Sequence, residues 1–376
     1  MKQERVKYCD ALRLVAIVSV VMIHVLAGYR DFYVQNNRLY YSTVTFFDSI
    51  TRTGVPIFFM ITGAFMLTKK DNIKYSEFLK KRLPKLCIPF IILSIGYYLY
   101  DGFLNNVPMS ILDFFEKFTS PGGVKYHFWF MYIIIIIYLF IPFLKTMVQN
   151  IKKNDLRNLI LLIFIFGNLL KTINLFSTKM GVTLFTGFIL NDLIIYTNYL
   201  FLGYYLYNYE VKRKNRSILY TIGIISILLL PLADALYIDN VRNDVLVTAN
   251  SIFPFVPSIA IFLLFKYNYN KWKVPKIIEK FANKLAPLTF YIYMIHVIIM
   301  ECVERQILKL WFPNRFIERG LYYLVIFILT FCSSYIVSIF LNWLYNKGTN
   351  VIKITIQKLR ERKKANEENK RFFTKV

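Results

Sequence analysis

The sequence predicts an all-α membrane protein of about ten transmembrane helices, with the N- and C-termini both cytoplasmic. Three observations carry that prediction. The chain is 56% hydrophobic and only 18% charged, against about 25% charged residues in ordinary soluble proteins, and its mean hydropathy is +0.45. Low-charge runs rich in Ile, Phe and Tyr recur along the whole length, each near the roughly 20 residues that cross a bilayer. Finally, with the N-terminus inside and residues at span ends counted with the adjoining loop, Lys and Arg fall 34 to 11 in favour of the cytoplasmic segments, as the positive-inside rule requires. The net charge of +25 is therefore a topology signal, and nucleic acid is not expected as a partner.

The spans are expected at 9–29, 46–67, 86–104, 127–146, 158–176, 184–206, 218–238, 248–265, 288–303 and 321–346. The first follows a basic stretch like a signal peptide, but it is longer and lacks a small-x-small cleavage pattern, so it is expected to be retained. It carries Asp10, Arg13 and His24. Eleven residues turn a helix through about 1100°, so Arg13 and His24 share a face about 16 Å apart, and Asp10 sits where it can pair with Arg13. Taken alone, the pattern also fits an Arg13 that snorkels to the inner headgroups and a packed His24.

The second span places Asp48 and Arg52 at the i, i+4 spacing of an ion pair. Arg52 lies about 9 Å in from the outer end, too deep for simple snorkelling, and either a buried structural pair or a functional cation accounts for it. Gly54-Val55-Pro56 should loosen this helix and Gly63 should permit close packing. The segment Thr68 to Lys85 (TKKDNIKYSEFLKKRLPK) is read as a basic cytoplasmic loop, serving either topology and anionic lipid or phosphate binding. Outside, Ser110 to Phe118 reads as a short interfacial helix, and Pro121-Gly122-Gly123 turns the chain into the fourth span.

His127 opens that span within Tyr126-His127-Phe128-Trp129, where an aromatic belt is expected in any case. Spans five to seven carry no residue to which a role is assigned. Pro254 and Pro257 should kink or break the eighth. His296 lies near the middle of the ninth, and Glu301 at i+5 is on another face. The domain organisation expected is one transmembrane domain, 1–346, and a basic cytoplasmic tail, 347–376, in which Val351 to Leu359 could lie on the inner surface as an amphipathic helix. The four cysteines, Cys9, Cys87, Cys302 and Cys332, have no CxxC spacing, so neither a disulfide frame nor a metal site is expected. No internal repeat is visible, although many transporters have one.

Ionisable groups in membrane spans mark functional sites by default. His24, Arg52 and His127 fall in the outer half, His296 is central, and Arg13 and the basic loop are inner. A polar site reached from outside, backed by an anion-binding region inside, would produce that order.

At these residues the sequence resembles the acyltransferase-3 superfamily of polytopic membrane enzymes. Asp10-Ala-Leu-Arg13 followed by His24 resembles the family's Arg-x10-His motif, and Arg52-Thr-Gly-Val-Pro-Ile-Phe-Phe-Met-Ile-Thr-Gly63 its second-span motif. His127-Phe-Trp-Phe130 resembles its His-x-Trp-Phe element, and Leu288 to His296 its late Tyr-rich segment. Leu14, Thr62 and Lys85 depart from the family's Gly, Ser and second Arg, and Lys85 would bind phosphate as a point charge without bidentate geometry.

The resemblance implies transfer of an acyl group, acetyl being the leading candidate, from cytoplasmic acyl-CoA as co-substrate to a hydroxyl of an extracytoplasmic glycan or envelope polymer. No tightly bound cofactor is implied. His24 would be the general base, with an ordinary pKa of about 6.5; Arg52 would stabilise the oxyanion, and Asp10 would hold Arg13. His127, His296 and Asp48 would serve the acceptor side or act as a second base, and Arg82 and Lys85 would bind the donor. The fused esterase-like domain of some relatives is not expected in this chain. The protein is expected to be multi-pass in a bacterial plasma membrane, with lipids, the acceptor glycan and envelope-biosynthesis proteins as partners. The alternatives are a transporter or flippase of a glycan or lipid-linked intermediate, which would move substrate without covalent change, and a non-catalytic sensor or scaffold.

Overall fold

A long apolar run in lipid must satisfy its backbone internally, and a helix does so within one segment. The computed structural model describes residues 6–69, 74–120, 122–237, 246, 248–308 and 316–373. Among these the regular elements are helices: α1 (Lys7–Asn36), α2 (Arg38–Thr51), α3 (Gly54–Met66), α4 (Tyr75–Asn105), α5 (Ile111–Thr119), α6 (Trp129–Asn150), α7 (Lys153–Ile163), α8 (Leu170–Lys179), α9 (Asp192–Asn208), α10 (Arg213–Tyr237), α11 (Ile252–Asn268), α12 (Lys276–Leu285), α13 (Thr289–Leu308) and α14 (Phe316–Phe373).

Nine helical stretches among the described residues are long and apolar enough to cross a membrane, and they coincide with nine of the ten expected spans. The remaining one, expected at 184–206, is α9, whose 17 residues reach only about 25 Å. It is also largely enclosed: Ile195, Tyr199 and Leu200 are fully buried, as expected of a helix apolar on most sides. Gly63 and Gly203 let α3 and α9 touch backbone to backbone. A Cβ on Gly63 would overlap the Leu200 carbonyl, and one on Gly203 would overlap the Met60 carbonyl.

The second expected span is two helices, α2 and α3, meeting at Arg52 and Thr53. Just beyond the join, α3 lies close to α1, where a Cβ on Gly54 would stand 2.8 Å from the Ala16 carbonyl. The basic loop is shorter than expected, because α4 already begins at Tyr75 and carries Arg82 and Lys85 on a helix. The Glu, Leu, Lys and Arg of that stretch are good helix formers, and they outweigh Pro84. The fifth span is interrupted by a π-helical stretch, Phe164–Leu169, where buried Asn168 donates to the carbonyls of Ala249 and Ser251 at 3.2 and 3.3 Å.

The expected break at Pro254 and Pro257 is absent, and α11 runs unbroken. Pro254 lies in its first turn, where a backbone N–H has no intrahelical partner to lose. Likewise α14 continues through residue 347, so no break in the helix marks the start of the expected tail. The short outer helix is present as α5, capped by the Ser110 hydroxyl, which accepts from the Asp113 N–H at 3.1 Å. Hydrogen bonds from Tyr98 and Lys117, at 2.7 and 2.9 Å, hold the Asp113 carboxyl below its ordinary range. Its Ile111, Leu112 and Phe115 face outward, as in a helix resting on a lipid interface.

Candidate functional site

The chain has three histidines, carried by three separate elements, and the fold brings them together. His24 on α1 lies with its ring centroid 4.9 Å from that of His296 on α13 and 6.2 Å from that of His127, while His127 and His296 are 5.2 Å apart. His127 occupies a 3-10 turn, Tyr126–Phe128, that leads into α6. His127 and His296 are buried at 1% and 0% exposure, and His24 is half-buried.

Neighbouring residues hold this cluster in place. The Tyr293 hydroxyl donates to the His127 carbonyl. The Tyr97 hydroxyl donates to the Met294 carbonyl and accepts from the Ile298 N–H, at 3.1 and 3.0 Å, so it bridges two backbone groups of α13 on either side of His296. His296 Nδ1 lies 2.6 Å from the Tyr293 carbonyl. A carbonyl only accepts, so Nδ1 carries the proton and Nε2 keeps the basic lone pair. Lys125 braces the turn from outside, with its ammonium 3.0 Å from Asp101 on α4 and 2.9 Å from Glu301 on α13. Sequence reasoning missed Lys125; its position immediately before the Tyr-His pair was the available signal.

His24, His127 and Arg52 line one cavity of about 680 Å³, within the range of small-molecule sites; it is the outer one in the orientation that the charge distribution predicts. Its walls also include Tyr126, Trp129 and Tyr196. Arg52 is positioned by a buried ion cluster. Asp48 accepts from Arg52 at 2.9–3.1 Å and from Arg30 at 2.9 Å, and Arg30 also reaches Asp234 on α10 at 2.8 Å. Tyr41 donates to Asp234 at 2.6 Å. The side chains of Arg30, Asp48 and Asp234 are 0% exposed. Among the described residues two guanidinium and two carboxylate groups meet here, the kind of pairing that buried charges require. Asp48 thus supports Arg52 from behind and does not line the cavity. Arg30 and Asp234 were missed in the sequence; Asp234 is an ionisable residue at the end of an apolar run, a signal for a buried partner.

Toward the N-terminal end of α1, the inner side in the same expected orientation, Arg82 and Lys85 line a cavity of about 1430 Å³ together with Asp10, Arg13, Lys80 and Lys81. Asp10 accepts from Arg13 at 2.9 Å, the pairing expected from sequence. Arg13 also stands over the Phe65 ring, 4.9 Å from its centroid. A third, smaller cavity of about 230 Å³ lies between the other two and is mainly apolar. It shares Arg13, Phe65, Leu86 and Tyr138 with the inner cavity, and Phe130 and Tyr293 with the outer one. The Phe130 and Tyr293 rings are 4.9 Å apart. α1 lines all three, with Arg13 toward one end and His24 toward the other. No group of three or more His, Cys, Asp or Glu among the described residues has the geometry to hold a metal ion.

Chemically, the outer cavity offers imidazoles beside a fixed cation, and the inner one offers five cationic side chains for an anion. Comparison with curated proteins and with solved structures gave no match. A family model described as an acyltransferase domain matches residues 6–339, a stretch that contains the three histidines, the ion cluster and the basic wall. The chain therefore belongs to the acyltransferase-3 family and is a multi-pass membrane acyltransferase.

Proposed function

We propose that the protein is an O-acyltransferase of the plasma membrane. It would take an acyl group, most simply acetyl, from cytoplasmic acyl-CoA and give it to a hydroxyl of an extracytoplasmic glycan or envelope polymer. The observation that carries this reading is the row of three cavities: a basic pocket, a narrow apolar throat, and a chamber holding His24, His127 and Arg52. The donor phosphates would sit against Arg13, Arg82 and Lys85, and the thioester arm would extend through the throat toward Phe130 and Tyr293. The tyrosines and Trp129 of the outer chamber offer the flat faces and hydroxyls that suit a sugar.

His24 would take the proton of the acceptor hydroxyl as its oxygen attacks the thioester carbonyl carbon, a step in which a placed base typically gives about 10² to 10⁴-fold. The new oxyanion would lie beside Arg52. When the intermediate collapses, the carbon–sulfur bond breaks, and the proton held by His24 passes to the departing thiolate. The products are the ester and free CoA. His296, behind His24, would orient its ring, and His127 would orient the acceptor.

A transporter would need no acyl donor, which makes the readings separable. Mass spectrometry of envelope glycans from cells with the wild-type gene, without it, and with His24→Ala should show one acyl-sized mass increment in the wild type alone. An increment retained at wild-type level by a normally accumulated His24→Ala protein refutes the proposed base.

A further inference from the structure

The inner cavity has a wall that the basic residues do not account for. Besides Arg13, Lys80, Lys81, Arg82 and Lys85, it is lined by Asn342, Tyr345, Asn346, Thr349 and Asn350 of α14. At 100° per residue these five positions fall within an arc of about 140°, so they form one polar stripe. The other side of the same turns is different: Trp343 and Leu344 are 52% and 43% exposed, and Lys347 stands 5.0 Å from the centre of the Trp343 ring, a pairing suited to the inner lipid interface. Asn342 is half-buried and Asn346 and Asn350 are exposed, so the amides of the stripe are open to a polar ligand in the cavity. The stripe also lies past residue 339, where the family match ends.

We infer that Asn342, Asn346 and Asn350 bind the purine base of a nucleotide whose phosphates are held by the cations of α1 and α4, with the Tyr345 ring as a stacking surface. This rests on the acyl-CoA reading above and specifies how that donor is told apart from other thioesters. Phosphates require cations and supply no selectivity by themselves. A base edge alternates donors and acceptors, and a primary amide, with one of each, matches it in pairs. An aromatic face adds sequence-tolerant stacking. The cavity provides both kinds of lining on separate helices, cations on α1 and α4 and amides on α14, which fits a ligand with a charged middle and a flat, neutral end.

The competing occupant with the same phosphate chemistry is an anionic lipid headgroup, which has no base. The test uses the full chain in lipid nanodiscs and measures the affinities of CoA and of 4′-phosphopantetheine, which lacks the nucleotide. Nanodiscs are prepared with phosphatidylcholine alone and with added phosphatidylglycerol. Wild type should prefer CoA. Asn342→Ala/Asn346→Ala/Asn350→Ala should bind CoA roughly tenfold or more weakly, as lost hydrogen bonds predict, with phosphopantetheine binding unchanged; that unchanged binding also shows that the pocket is intact. Asn346→Ala alone should give a smaller loss in the same direction, and Leu344→Ala on the lipid side should give none. CoA binding by the triple variant equal to wild type overturns the inference while leaving the donor reading intact. CoA binding that vanishes in phosphatidylglycerol, with the asparagine variants indifferent, assigns the wall to lipid and overturns it too. No CoA binding by wild type overturns both this inference and the donor reading.

Discussion

Replacing Asp234 by Asn removes one of two carboxylates from a cluster that also contains two guanidinium groups. Arg30 then shares Asp48 with Arg52, and the described residues of the cluster are left with two guanidinium groups and one carboxylate, Arg30 and Asp48 at 0% exposure and Arg52 at 11%. Removing one partner from a buried pair costs about 3–5 kcal/mol, which at about 1.4 kcal/mol per decade is a fall of roughly 10² to 10⁴ in the folded-to-unfolded ratio. The Tyr41 hydroxyl, which donates to Asp234 at 2.6 Å, would have a neutral amide oxygen as its acceptor. The assay is reversible unfolding in detergent, with the double-mutant cycle completed by Arg30→Met and Arg30→Met/Asp234→Asn. Each single variant should be strongly destabilised, and the double variant should recover a large part of the loss, because the Arg52–Asp48 pair survives in a neutral setting. An Asp234→Asn protein that unfolds like wild type, or a cycle that is simply additive, would refute the argument that these four charges form one unit.

Gly203→Ala should prevent α3 and α9 from touching and lower stability by about 1–3 kcal/mol or more, read as a shifted unfolding midpoint; the same change at Gly223, whose Cβ would stand 2.9 Å from the Ala260 Cβ and 3.5 Å or more from backbone, should cost less. Lys125→Met should leave the helices folded but lower kcat, because the turn carrying His127 loses its ties to Asp101 and Glu301; KM for the donor, which would bind at the far end, should hardly move. Phe130→Ala should widen the junction between throat and outer chamber and raise activity with propionyl or butyryl donors relative to acetyl, measured as the ratio of their kcat/KM values.

The helices were legible because lipid permits few alternatives: a low-charge run of about 20 residues is a span. What the sequence hid lies in places where tertiary packing overrides length or local pattern. α9 is short because it is enclosed by protein, and the glycines that reveal its contact with α3 have no local signature. At α11 the prolines did not end the helix: Pro254 lies in the first turn, where it is harmless, and Pro257 is carried inside the helix. Among the site residues, the Asp10–Arg13 and Asp48–Arg52 pairs followed from helical spacing. The convergence of His24, His127 and His296 did not, since residues from distant segments carry no spacing that can be measured. Arg30 looked like one more loop cation, and only its burial between Asp48 and Asp234 shows that it supports Arg52. The asparagine stripe of α14 was unread because amides in a span end carry no charge to attract notice.

The central claim is that an acyl group passes from a donor on one membrane face to an acceptor on the other, with His24 as the base. Inverted membrane vesicles loaded with an acceptor oligosaccharide in the lumen, and supplied outside with acetyl-CoA labelled in the acetyl carbons, test it directly. The account predicts labelled acceptor inside wild-type vesicles with matching release of free CoA outside, and neither with His24→Ala. Labelling that occurs only when donor and acceptor share one side, or that persists undiminished in the His24→Ala vesicles, would contradict it.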